Sequence, residues 1–126
     1  MSLDYVRVSK QAREQLIRLK RNTGIEHWNV LCRWAFCRSL AEPSRPPDSR
    51  IVADSNVEMS WRVFGGRLHM VYLALLKERC LQDGLGVDAE VLETQFRLHL
   101  HRGIAYLAGD RRLREGVSAL VELATD

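Results

Sequence analysis

Polar and apolar residues alternate at the start of the chain. Tyr5-Val6-Arg7-Val8 is β-branched and predicts a short strand, with Tyr5 and Arg7 on one face and Val6 and Val8 on the other. Ser9 then suits the N-cap of a helix from Lys10 to about Arg21. In that helix Ala12, Leu16 and Leu19 form a narrow apolar stripe, while Lys10, Arg13, Glu14 and Arg21 gather opposite it. Ile17 falls in the middle of the charged face, exposed unless a partner covers it. Asn22-Thr23-Gly24 stops the helix, because Gly24 can take the left-handed conformation that ends helices.

A second helix, from about Glu26 to Ala41, has Trp28, Leu31, Cys32 and Ala35 on one side and Val30, Trp34, Cys37 and Ala41 on the other. A helix that is apolar nearly all round is buried on all sides, and in so short a chain the second cover is expected from another copy of the protein. Residues Glu42 to Arg50 hold all three prolines and predict a surface loop, read as a connector rather than a ligand-contacting arm. Val57 to Val63 alternates and predicts an extended edge segment, closed by Gly65-Gly66. A third helix is expected from about Arg67 to Leu81, and Asp88 caps a fourth that reaches about Ala108. A last helix is expected from about Arg111 to Ala124, with Leu113, Val117 and Leu120 facing inward. Arg111, Arg112 and Arg114 crowd its first turn, where the helix dipole disfavours cations, and read as a solvated cluster.

The expected fold is therefore mainly α: one compact helical domain over residues 1–126, with a short N-terminal strand, one extended segment and a ribbon-helix-helix-like N-terminal unit. A chain of 126 residues, 46% hydrophobic and 28% charged, supports one core and is not disordered or collagen-like. The longest apolar run, Met70 to Leu76, is far short of the roughly 20 residues that span a bilayer. No apolar stretch in the first ten residues marks secretion, so a cytoplasmic location is expected.

Chemistry is sparse. Cys32, Cys37 and Cys80 form no CxxC and read as reduced, mostly buried small hydrophobes. His99 and His101, two apart on a helix, point in different directions, and no metal site is expected. P-loop, GxGxxG, HExxH and GxSxG motifs are absent, so no cofactor and no active site are predicted. Charge says more. The net charge is +3, yet residues 1–50 carry +5 and the remainder carries −2. Such a split points to an N-terminal half that meets a polyanion and a C-terminal half that holds an assembly together.

The order of strand, basic helix, Gly-containing turn and apolar helix looks like a ribbon-helix-helix unit, in which strands from two chains pair and lie in the major groove of DNA. The whole chain, above all VRVSKQAREQLIRLKRNTGIEHWNVLCRWAFCRSLAEPS (residues 6–44), resembles the bacterial DNA sulfur modification (phosphorothioation) DndE family. That resemblance implies a mostly helical homotetramer that binds double-stranded DNA, favours nicked duplex, and works beside the proteins that supply and install the sulfur. It implies DNA contact by Arg13, Arg18, Lys20 and Arg21 of the matching tract, with Lys10 and Arg7 as additions. Contact with phosphates needs a band of cations without strict spacing. The expected role is non-catalytic. The alternative is a ribbon-helix-helix repressor that selects an operator through Tyr5 and Arg7; a nicking nuclease is disfavoured by the lack of a carboxylate and histidine cluster.

Overall fold

The computed structural model describes residues 4–115. The chain runs through β1 (Tyr5–Arg7), α1 (Lys10–Thr23), α2 (Trp28–Leu40), β2 (Glu58–Ser60), α3 (Trp61–Gly65), α4 (His69–Gln82) and α5 (Ala89–Gly109). Short 3-10 turns occupy Gly66–Leu68 and Arg111–Glu115.

Local chemistry sets most of these limits. Ser9 Oγ accepts from the Ala12 amide at 3.1 Å, and Asp88 Oδ1 accepts from the Val91 amide at 2.9 Å, so α1 and α5 begin on side-chain caps. Gly24 ends α1 at φ +75°, its amide donating to Lys20 O. Thr23 extends α1 past the expected stop at Arg21. It is buried, its hydroxyl donates to Leu19 O at 2.7 Å and accepts from the Ile25 amide at 3.2 Å, and this fixes the turn into α2. That turn occupies residues 24–27, so α2 starts at Trp28 and not at Glu26.

β1 pairs antiparallel with β2 of the same chain in the register Tyr5↔Ser60, Val6↔Met59, Arg7↔Glu58. Val6, Val8, Val57 and Met59 are buried beneath this ribbon, and Tyr5 and Arg7 lie outside, as the alternation predicts. The strand-helix-helix order is present, with the ribbon closed inside one chain. The extended segment expected to reach Val63 is shorter. Ser60 Oγ accepts from the Val63 amide at 3.1 Å and caps α3, so the backbone turns helical at Trp61. The helix expected from about Arg67 to Leu81 is α4, which begins at His69 because a 3-10 turn occupies Gly66–Leu68. Of the last expected helix, Arg111–Glu115 form a 3-10 turn with Leu113 buried, while Val117 and Leu120 lie outside the described residues. Among the described residues no helix is long and apolar enough to cross a membrane.

The core is built on α2 against α5. Gly103 permits their close crossing: a Cβ placed there would lie 1.7 Å from the backbone oxygen of Ala35. Around the crossing sits an aromatic cluster in which Phe96 meets Phe36, Phe64 and Trp61 at 5.2, 5.1 and 5.0 Å between ring centroids. Edge and tilted contacts of this kind add to the burial of the rings themselves.

Candidate nucleic-acid interface

α1 is an amphipathic helix lying on the core through Ala12, Leu16, Leu19 and Thr23. Its opposite side carries the predicted cations, which the structure does not place equally. Arg18 and Arg21 are exposed and line a hollow of about 510 Å³ with Gln11, Glu14, Gln15 and Ile17. Ile17 is half-buried in its wall rather than standing fully in solvent. Arg13 lies on the other flank, in a hollow of about 420 Å³ with Lys10, Glu14 and Asp54. Among the described residues Arg13, Arg18 and Arg21 have no ion-pair partner.

Lys20 stands over the Trp28 ring, with Nζ 4.5 Å from its centroid, and this cation–π contact joins the end of α1 to the start of α2. Lys20 and Arg21 occupy the last turn of α1, where cations complement the helix dipole. Lys10 begins the helix, its amide bonded to Asp54 Oδ1 at 3.1 Å and its Nζ 4.0 Å from Asp54 Oδ2. Arg7 is set apart on β1 and pairs with Glu58 at 2.6 Å, so its charge is largely compensated. The band is therefore Lys10, Arg13, Arg18, Lys20 and Arg21, with Glu14 the one acid of α1 among them.

Two arginines that sequence alone leaves among the surface charges are anchored inside. Arg79, 7% exposed, pairs with Asp83 at 3.1 Å and donates to the carbonyls of Leu40, Glu42, Pro43 and Ser44. Arg102 donates to Ser39 Oγ, Ser39 O and Ser44 O at 2.9, 2.9 and 2.8 Å. Both satisfy carbonyls at the end of α2, where a helix leaves its acceptors unpaired and its dipole negative. The proline-rich segment that follows α2 is consequently pinned to the core.

Beneath Arg102, His99 Nδ1 lies 2.8 Å from Ser39 Oγ. The same hydroxyl oxygen accepts from Arg102 Nε at 2.9 Å, so Ser39 links the imidazole to the guanidinium. Burial, then the neighbouring Arg79 and Arg102, push the His99 pKa down to about 4. Ser39 and His99 are 0% and 1% exposed, so this hydroxyl–imidazole pair is closed to solvent. His101 points the other way, as its spacing predicts. Its Nδ1 contacts Arg97 O at 2.8 Å, and its Nε2 accepts from the Ser9 amide at 3.1 Å at the head of α1. Among the described residues no three His, Cys, Asp or Glu side chains are placed to hold a metal.

Among the described residues the second helix is not enclosed on all sides. Leu31, Cys32, Ala35 and Phe36 are buried, but Val30 and Trp34 are half-buried and Cys37 is exposed, in a groove of about 400 Å³ completed by Arg33 and Tyr72. Cys37 is thus the exposed one of three mostly buried cysteines, Cys32 and Cys80 lying inside. Burial pushes the Cys32 thiol up to about 12, leaving it unreactive. Beside this groove α4 turns Met70, Val71, Leu75 and Leu81 outward.

Comparison with known proteins places this geometry in context. Crystal structures of DndE superpose on it. One is DndE from Escherichia coli B7A, involved in DNA phosphorothioation modification, with a TM-score of 0.70 and 27% identity over 85% of this chain and 98% of that one. Another is a double glycine-to-lysine variant of DndE involved in DNA phosphorothioation, with a TM-score of 0.65 and 22% identity over the same shares, a likeness of fold. No curated protein sequence matches the chain significantly. Residues 5–115 match the family described as DNA sulphur modification protein DndE. The chain belongs to the DndE family, which takes part in DNA phosphorothioation.

Proposed function

We propose that the protein is a non-catalytic DNA-binding subunit of the phosphorothioation system, which works in the cytoplasm beside the proteins that install sulfur and binds duplex DNA with a preference for nicked duplex. The observation that carries the reading is the outward band of α1, five cations around a single acid of that helix, three of them without an ion-pair partner among the described residues. A band without a base-reading motif suits backbone contact. The closed Ser39–His99 pair supports the non-catalytic role, since no substrate reaches it. The intramolecular β1–β2 pairing and the Arg7–Glu58 ion pair weigh against a repressor that reads bases through Tyr5 and Arg7.

Lys20→Glu with Arg21→Glu is expected to weaken duplex binding at least about tenfold and to lower the salt slope by about 2, because each neutralised phosphate contributes roughly one unit. Fluorescence anisotropy with labelled duplex measures both, and unchanged binding would move the DNA face off α1.

In the same reading, copies assemble into a homotetramer through the Trp34 groove and the outward face of α4, which would cover apolar surface that a monomer leaves in water. Leu75→Glu, at a position 42% exposed, places a charge on that face without entering the core. Together with Trp34→Glu it is expected to yield smaller species by light scattering with cooperative melting retained. If Leu75→Glu assembles as the wild type does, α4 is not the interface.

A further inference from the structure

A hollow lined by three elements lies beside the α1 band. It measures about 560 Å³ and is enclosed by the first turns of α1, by the segment 46–54 and by α5. Its polar lining comes from all three: Lys10, Gln11 and Gln15 from α1 with Ser9 before it, Ser49, Arg50 and the one carboxylate, Asp54, from the segment, and His101 and Arg102 from α5. Gln11 and Gln15 also line the hollow that contains Arg18 and Arg21. The two hollows share these two side chains, so their lining runs without a break from Arg50 along α1 to Arg21.

From this continuity we infer that the segment 46–54 is the second wall of the DNA-binding surface, and that the shared lining is a track for the phosphodiester backbone of one DNA strand. The inference rests on the DNA-binding reading of α1 and extends it to Arg50, Gln11 and Gln15. Lys10 to Arg21 spans about 16 Å of helix, the rise of about five nucleotides of one strand. A small anion would need a closed pocket with converging donors, whereas this track is long and open and distributes cations and amide donors along its length. Arg50 is exposed and has no ion-pair partner among the described residues. Arg102 is committed to Ser39 and Ser44, so it adds positive charge to the wall rather than a free hand.

The wall is preorganised. The Ser44 carbonyl accepts from both Arg79 and Arg102, at 2.9 and 2.8 Å, and holds the start of the segment. Pro46 is buried. At the other end Asp54 accepts from the Lys10 amide at 3.1 Å, and the Ser55 amide donates to Val8 O at 3.2 Å. A surface held at both ends loses little conformational freedom on binding.

Arg50→Glu tests this, since the substitution breaks no hydrogen bond or ion pair within the described residues. With the full-length protein and a labelled 20-base-pair duplex, Arg50→Glu is expected to lower affinity about tenfold and the salt slope by about 1, with assembly and melting unchanged. The side-chain amide resonances of Gln11 and Gln15 should shift on titration with duplex and stay in place with inorganic phosphate at equal phosphate concentration. If Arg50→Glu binds as the wild type does while Lys20→Glu with Arg21→Glu binds weakly, the second wall is refuted and the α1 reading stands. Equal shifts with inorganic phosphate would replace the track with a site for a free anion. Absence of duplex binding by the wild type would overturn both readings.

Discussion

Gly103→Ala is expected to destabilise the protein by about 3 kcal/mol or more, the upper range for overpacking in a close-packed interior. The new methyl carbon would lie 1.7 Å from Ala35 O and 2.4 Å from Ala35 C, which are backbone atoms and have no rotamer to change. Relief requires α2 and α5 to separate, and that loosens the contacts of Phe36 with Phe64 and Phe96 on the same side of α2. Gly109→Ala on the same helix is the control. A Cβ there meets nothing within 4 Å, and the change should leave stability equal or raise it by up to about 1 kcal/mol through helix propensity. Urea unfolding of the two variants compares them directly. Equal midpoints would mean that the two helices do not cross as closely as described.

Acidification should remove up to about 3 kcal/mol of stability through His99 alone. Its folded pKa is about 4 against an ordinary 6.5, so below pH 6.5 the unfolded chain binds this proton more readily than the folded one. The contribution is complete above pH 6.5, is lost as the pH falls toward 4, and levels off beneath that. His101, whose pKa burial also lowers, acts in the same direction, because a proton on Nε2 would abolish its acceptance of the Ser9 amide. His99→Leu isolates the first effect. Its stability relative to the wild type should improve steadily between pH 7 and pH 4 in urea titrations. A constant difference would show that His99 does not titrate across the transition.

Much of this architecture is legible along the chain where the cause is local. The limits of α1 follow from Ser9 and Gly24, and its buried face from Ala12, Leu16 and Leu19, because caps and periodicity act within a few residues. Trp61 misleads because it satisfies two patterns at once. It continues the buried alternation of Val57 and Met59, yet it is the first residue after a serine cap. A serine three residues before an amide acceptor-seeking position was the available signal. Gly103 leaves no mark in sequence: inside a helix it reads only as a weak helix former, and its reason is the Ala35 backbone 68 positions earlier.

The same distance hides much of the candidate interface. The cations of α1 announce themselves through charge asymmetry, but the pairing of Arg7 with Glu58 depends on strands 51 residues apart. Arg79 and Arg102 look like any surface arginine until the exposed carbonyls at the end of α2 are brought to them. Arg50 gains meaning only when that anchoring lays the proline-rich segment beside Gln11 and Gln15. Sequence suggested a band of charge, and long-range packing turned it into a walled track.

The central claim is that the outward face of α1 engages the phosphate backbone, and a gel-shift salt series tests it most directly, using intact, nicked and single-stranded DNA of one sequence. The account predicts that log affinity for duplex falls linearly with log salt, with a slope of about −0.9 for each phosphate engaged and several phosphates in total, and that nicked duplex binds more tightly than intact duplex. Binding that is absent at low ionic strength, or that is indifferent to salt, would contradict it.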